Sequence, residues 1–285
     1  MALFTWLYAR LIYYLFIFLI RSVYKQHTIG LFSADKHTKM IKWTSYAFKV
    51  FDLLVKIIDK QTRYNYTMII NYEGCKLLIR PFVHLTEIMM VSGRWEPYVK
   101  AILDKEVKSS DVIADVGANI GIYAVPLARR VSKAIAFEPH PITSEMLETS
   151  IELNHLYNIT LVKKAVAEKR KKVLLDISSA PALSKISSSN TLDQGTACVE
   201  TESIDLDTAL ALEDRLDWLL VDIEGFEVSA LNGARNILER LSPKIIIETS
   251  YNNNDEVNRI LRNEGYSITF LFQAQSLYYY ALKRF

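Results

Sequence analysis

The chain has 285 residues, half of them hydrophobic and 23% charged, which excludes a disordered or fibrous chain and leaves room for one sizeable α/β domain with extensions. A net charge of +2 gives no basic stripe for nucleic acid. Two distant cysteines, Cys75 and Cys198, offer no metal-type spacing and read as buried thiols in a reducing compartment.

Residues 3–20 form a nearly unbroken apolar run, with Thr5 and Arg10 as exceptions. Its length is close to the roughly 20 residues that cross a bilayer. Arg10 would cost about 2.5–3.5 kcal/mol at the bilayer centre, which Leu, Ile and Phe at about 0.3–0.6 kcal/mol each roughly offset. Spanning the membrane and lying on it therefore both stay open. No charged n-region or small-x-small site marks a cleaved signal peptide. Arg21, Lys25, Lys36, Lys39 and Lys42 follow against Asp35 alone, which by the positive-inside rule places the catalytic part in the cytoplasm. Over 40–58 the spacing of Trp43, Ala47, Val50, Leu54 and Ile57 predicts a helix, with Lys42, Lys49 and Lys56 beside that face. Such a helix suits a membrane surface or packing on the catalytic domain. Residues 1–58 are thus expected to associate with a membrane.

Residues 59–110 read as an entry subdomain. Strands over 63–72 and 76–80 would turn at Glu73-Gly74, and helices would follow over 84–90 and 96–103. A loop, 108–111, leads into the third domain segment, 111–285.

Residues 112–116 are apolar except for Asp115, as a buried parallel strand requires. Gly117 and Gly121 follow around Asn119, and then a helix over 120–131, which Pro126 interrupts or opens. The rhythm continues with a strand at 134–137, a turn at Pro139 and Pro141, a helix at 143–154 and a strand at 159–163. Strands at 171–177 and 198–201 form an antiparallel excursion. Between them 178–195 is a long Ser-rich loop, of a length usually functional or disordered, placed to border an acceptor pocket. After a helix at 204–212 comes a strand at 218–221, ending in Asp222-Ile223-Glu224-Gly225. A helix at 228–240, a strand at 244–247 ending at Glu248, a helix at 255–263 and two strands at 267–271 and 277–282 complete the chain. The last two are expected to pair antiparallel.

Strand, glycine turn and helix build a nucleotide-type pocket at the carboxyl edge of an open sheet. The pattern here is Asp115-x-Gly117-x-Asn119-x-Gly121, without the third glycine of a dinucleotide fingerprint. A carboxylate at the strand end repels a pyrophosphate but suits an ammonium. S-adenosylmethionine carries an ammonium and no phosphate. Glu138, about 20 residues on, is placed to hold a ribose hydroxyl pair. An ordinary α/β turn with a surface glutamate is the plainer reading.

Four motifs extend this pattern: Trp95-Glu96-Pro97, Asp115 through Gly121, Phe137-Glu138-Pro139, and Val221-Asp222-Ile223-Glu224-Gly225 with Glu227 and Leu231-Asn232-Gly233-Ala234. Together they resemble the FkbM family of S-adenosylmethionine-dependent methyltransferases, from about residue 80 to 247. The resemblance implies a class I methyltransferase fold: a Rossmann-like, doubly wound sheet with a terminal antiparallel hairpin, here preceded by hydrophobic amino-terminal helices. It implies O-methylation, often of sugar hydroxyls in glycans, glycolipids or related metabolites. It also implies that Asp115, Gly117, Asn119, Gly121 and Glu138 line the cofactor.

Asp222 and Glu224, at the carboxyl end of a strand neighbouring the first, are the candidate catalytic pair. They suit holding the acceptor, acting as base, or binding a divalent ion such as magnesium or manganese, with Asp222 the candidate ligand. Alternatively, Glu224 caps the next helix. Glu248 is similarly placed. His140 reads as a surface histidine unless it approaches the adenosine, and His84 and Trp95 are candidates for the acceptor side. Two other functions stay open: a nicotinamide-dependent oxidoreductase with a degenerate glycine turn, and a non-catalytic membrane-tethered scaffold. Neither the acceptor nor the oligomeric state is legible.

Overall fold

The computed structural model describes residues 67–80, 96–176, 185–186, 198–273 and 276–283. The apolar run 3–20, the helices expected at 40–58 and 84–90, and most of the 178–195 loop lie outside the described residues, as do His84 and Trp95. Among the described residues, no helix is long and apolar enough to cross a membrane. The chain divides into two compact units. Of the first, 67–72 and 78–80 are described, with strand β1 (Met68–Tyr72) and the end of β2 (Cys75–Ile79). Glu73 and Gly74 between these strands have φ of 50° and 77°, the left-handed pair that a two-residue hairpin turn demands.

The second unit, Glu73–Leu77 and 96 onward, is built on a mixed sheet. Its strands are β3 (Val112–Val116), β4 (Lys133–Phe137), β5 (Ile159–Val162), β10 (Trp218–Val221), β11 (Lys244–Thr249), β12 (Tyr266–Gln273) and β13 (Leu277–Lys283). The order is β12-β13-β11-β10-β3-β4-β5. From β5 to β11 all neighbours are parallel, while β13 runs antiparallel to β11 and to β12. This is the expected methyltransferase-like sheet with its terminal hairpin. The order reverses between β3 and β10, so their carboxyl ends diverge into the crevice where open sheets hold ligands.

Apolar residues on both sides of these strands explain why they are central. One face packs Leu206, Leu231, Ile237, Ile247, Val257 and Leu261; the other packs Val99, Ile113, Leu127, Trp218, Ile246 and Tyr280. Trp218 is fully buried, and its indole N–H donates to Asp111 Oδ2 at 3.0 Å. The same oxygen accepts from Lys108 N at 2.9 Å, so the loop entering β3 is tied to β10.

The helices are α1 (Pro97–Glu106), α2 (Ala124–Ala128), α3 (Pro141–Leu153), α4 (Leu206–Ala209), α5 (Glu227–Asn232), α6 (Arg235–Arg240) and α7 (Asn254–Asn263). Several depart from the sequence expectation for local reasons. The helix expected at 120–131 shrinks to α2 because Asn119 and Gly121 sit at φ 52° and 91°, outside the helical region, and Pro126 has no N–H to give. Pro141 opens α3 instead of marking a turn, and His140 caps it, accepting from Thr143 N at 3.3 Å. The helix expected at 228–240 breaks into α5 and α6 at Gly233, where a Cβ would lie 2.6 Å from the Ala167 carbonyl oxygen. The helix expected at 204–212 is the single turn α4, because β9 (Cys198–Ile204) runs further than predicted. It does so to pair its end with a strand the sequence reading missed, β6 (Ala165–Val166). With β7 (Lys172–Asp176) and β8 (Lys185–Ile186), these form a small second sheet, order β6-β9-β7-β8. β8 lies inside the stretch expected to be loop. Cys75 is buried as expected, whereas Cys198 is half-buried.

Candidate functional site

The carboxyl end of β3 sets the geometry. After Val116 the chain turns at Gly117, φ 89°, where a Cβ would stand 1.8 Å from the Asp222 carbonyl oxygen. No side chain fits there, so glycine lets the turn lie directly against the end of β10. From β10, Asp222 N donates to Val116 O at 2.9 Å. Gly121, φ 91°, meets Leu147 and Val125 in the same way, at 2.5 and 2.6 Å from a would-be Cβ. Gly117 N and Ala118 N both donate to Phe137 O at 3.0 Å, which fastens the turn to β4.

Glu138 follows β4 and is buried, contrary to the surface reading. Its Oε2 accepts from Asn119 N at 2.9 Å and its Oε1 from His140 N at 2.8 Å. Each oxygen keeps a second acceptor position. Burial pushes its carboxyl up to about 7, against the pull of these two backbone bonds, and the charge of Asp115 adds to the rise. His140 is likewise buried, as a helix cap and not a surface residue.

Asp115 is 5% exposed and accepts one backbone bond, from Ala124. Burial raises its carboxyl to about 7 as well. Its Oδ2 and the side-chain oxygen of Asn119 are buried with no hydrogen-bond partner. Orphan acceptors of this kind are rare and point to something absent from the protein itself.

Across the crevice, Asp222 and Glu224 lie on the loop between β10 and α5. Glu224 is at φ 44° and Gly225 at φ 99°. Glu224 does not cap α5: the capping position is Phe226, without a side-chain cap bond. Glu227 shapes the loop instead. It accepts from Gly225 N at 2.5 Å and from Asn253 Nδ2 at 2.8 Å.

Asp222 is the centre of a group of acids. Its carboxyl is driven well above the ordinary range, first by the protein packed around it, then by the charges of Glu248, Glu96 and Glu224. Because Asp222 is an exposed residue, hydration is only partly lost, and the crowding of like charges is the firmer cause. Asp222 is hydrogen-bonded to Glu248. Glu248 faces Tyr278 across the β11–β13 ladder and accepts from its hydroxyl. Tyr278 OH also lies 3.0 Å from Oε1 of Glu96, its one proton shared between Glu248 and Glu96, and Tyr123 OH donates to the other oxygen of Glu96. Glu96 precedes α1 in a left-handed conformation, φ 38° and ψ 62°, and burial raises it to about 7. Acids so close together cannot all ionise near neutral pH. Among the described residues, no group of three or more His, Cys, Asp or Glu is arranged to hold a metal ion.

The structure brings the residues singled out in the sequence together: Asp115, Gly117, Asn119 and Gly121 at one turn, Glu138 bonded to it from the end of β4, and Asp222 beside it. Sequence reasoning noticed Glu248 without assigning a role. Glu96 it quoted in the Trp95-Glu96-Pro97 motif without a role, and Tyr123 and Tyr278 it did not single out. Glu96 sat in plain view before a helix-opening proline, and Tyr278 needed the strand register.

A family model of the methyltransferase FkbM domain matches residues 115–268, just over half of the chain. A curated relative, the probable ribosomal RNA small subunit methyltransferase A of Methanosphaera stadtmanae, is 33% identical over 58 residues, 20% of this chain. Those residues span 21% of that relative. Among solved structures, a methyltransferase FkbM from Methylobacillus flagellatus KT is 19% identical, covering 68% of this chain and 52% of that one, at a TM-score of 0.47. Trm5b from Pyrococcus abyssi is 12% identical, covering 76% and 54%, at a TM-score of 0.43.

The buried acids set a stability prediction. An acid raised from 3.8 to about 7 favours the folded state while protonated, and that advantage is lost as pH rises through 7. Asp115→Asn removes this pH dependence. From pH 4 to pH 8 the variant should gain on the wild type by on the order of 2–4 kcal/mol in urea unfolding. A constant difference at both pH values would show that Asp115 is ordinarily ionised in the folded chain.

Proposed function

The chain belongs to the FkbM methyltransferase family, and we propose that it transfers the methyl group of S-adenosylmethionine to a hydroxyl of a sugar-containing acceptor, a glycan, glycolipid or related metabolite. The observation that carries the cofactor reading is the pair of orphan acceptors, Asp115 Oδ2 and the Asn119 side-chain oxygen, on the turn after β3. They fit a ligand that brings hydrogen-bond donors and positive charge. When bound, S-adenosylmethionine supplies an electrophilic methyl on a sulfonium. Asp115 and Asn119 would hold its donors, and the free acceptor positions of Glu138 would take ribose hydroxyls. Gly117 and Gly121 keep the turn bare of side chains, so backbone lines that part of the crevice.

A sugar hydroxyl is a weak nucleophile and must give up its proton as the new bond forms. General-base help is worth about 10²–10⁴ in rate and is best from a group whose pKa lies near the working pH. Burial and crowding by Glu248, Glu96 and Glu224 move the Asp222 carboxyl upward from the ordinary carboxylate range, the direction that makes it a stronger base. Glu248, bonded to Asp222 and to Tyr278, holds the Asp222 carboxyl in place. The family assignment sets aside the nicotinamide-dependent alternative. A sugar acceptor is supported by the family resemblance, and residues 1–58 would bring the enzyme to a membrane carrying such an acceptor, with the catalytic unit on the cytoplasmic side.

Three measurements test this reading. In calorimetric titration with S-adenosylhomocysteine, the wild type should bind, and Asp115→Ala and Glu138→Ala should each bind about ten- to hundred-fold more weakly. A folded wild-type sample giving no heat would remove the cofactor assignment.

With labelled S-adenosylmethionine and fractionated lipids and glycans of the host, Asp222→Asn should slow label transfer by about 10²–10⁴ while S-adenosylhomocysteine affinity holds. An unchanged rate would move the base to another residue.

In cell fractionation, the full chain should sediment with membranes and a form lacking residues 1–58 should not. A full-length chain that stays soluble without detergent ends the anchoring proposal.

A further inference from the structure

A second concavity lies outside the acid crevice. It is a groove of about 650 Å³ between α7 and the terminal hairpin, within the roughly 300–1,000 Å³ typical of small-molecule sites. α7 packs Val257, Ile260 and Leu261 into the core, and its opposite stripe presents Asp255, Asn258 and Arg262 to the groove, with Asn263 at its end. The floor is aromatic. Phe270 of β12 and Tyr279 of β13 are register partners whose rings meet edge to face at 5.6 Å, and Phe270 is 52% exposed.

The lining selects a type of ligand. Asp255 and Arg262 offset one another in charge, and Arg259 is already held by both oxygens of Glu256, at 2.8 and 2.5 Å. The groove is therefore close to neutral. Asn258 Nδ2 is spent on Asn254 and Asn254 Nδ2 on Asp255 Oδ1, so the groove's donors and acceptors are the Arg262 guanidinium, the Asn263 amide and the remaining side-chain oxygens of Asn258 and Asp255. Together these match vicinal hydroxyls, whereas exposed rings match apolar C–H faces. A neutral molecule with hydroxyls around its rim and apolar faces is a saccharide.

Hydrogen bonds link one end of the groove to the loop that carries Asp222. Tyr279 OH donates to Asn254 Oδ1 at 2.6 Å, and Asn254 also accepts from Asn258 Nδ2 at 2.9 Å, which orders this end. The preceding residue, Asn253, donates to Gly225 O and to Glu227 Oε2, both at 2.8 Å, on the loop that carries Asp222. Along β13, Tyr278 faces the acids and Tyr279 faces the groove, which the pleat therefore sets on the opposite side of the sheet. We propose that this groove is a saccharide-binding subsite that holds a neutral sugar unit of the acceptor distant from the one at the acid crevice. Its link to methylation rests on the function proposed above; sugar binding itself does not.

The test is to apply the full chain, fluorescently labelled, to an array of neutral oligosaccharides, and to measure any hit by calorimetry with that same oligosaccharide. Binding is expected, and Phe270→Ala and Arg262→Gln should each weaken it about tenfold or more while S-adenosylhomocysteine affinity and melting temperature stay at wild-type values. Both side chains are exposed, so neither change disturbs the core. Array binding unaffected by both variants, or abolished by millimolar inorganic phosphate, overturns the proposal; the latter would make the groove an anion site. A chain that binds S-adenosylhomocysteine but no oligosaccharide keeps the methyltransferase reading and loses this one.

Discussion

The contact between Gly117 and the Asp222 carbonyl is the constraint on which the site depends. Two neighbouring parallel strands end at the same level, and their loops must diverge without a side chain between them. The close approach places a buried acid, Asp115, and an acid-rich loop on the two walls of one crevice. A methyl group there would increase the separation and disturb both the backbone bond from Asp222 N to Val116 O and the line between the walls. Left-handed backbone at Asn119 and Gly121 follows from the same need. The chain must fold back on itself before α2 begins, which is why that helix is so short.

Electrostatics run against stability across this edge. Asp115, Glu138 and Glu96 are each raised to about 7, chiefly by lost hydration, and Asp222 is raised by burial and by the acids around it. Structural needs explain part of the arrangement: Glu138 braces the turn through two backbone N–H groups, and Glu96 joins two tyrosines. The remaining acceptors have no such use inside the protein. Folded proteins keep unfavourable groups where function requires them. An apolar scaffold strong enough to carry them is present in the two packed faces of the sheet.

The sheet was legible because its inner strands are apolar on both faces, so period and length together identify them; β3, β4, β10 and β11 came out within one or two residues. Helix lengths were less legible. What ended α2 and split α5 from α6 was tertiary: left-handed turns at 119 and 121, and the Ala167 carbonyl pressing on Gly233. The two-residue β6 carries no period at all. In the site, local spacing disclosed the glycine turn and its acids. Glu96, Tyr123 and Tyr278 converge only through the fold, and no window of sequence contains them together. The same holds for Glu227, whose neighbour Asn253 is 26 positions away.

The hydrogen bond between Glu96 and Tyr278 joins residues 182 positions apart. Loop-closure entropy opposes contacts of such separation until intervening structure has formed. β3, β4 and β5 can pair as soon as residues up to 162 are available, but the acid group is incomplete until the last strand docks beside β11. During synthesis, the turn that carries Asp115 therefore leaves the ribosome long before the strand that completes the opposite wall. A nascent chain can hold much of its core and still lack its chemistry. The crevice is complete only once the last strand of the second unit is in place.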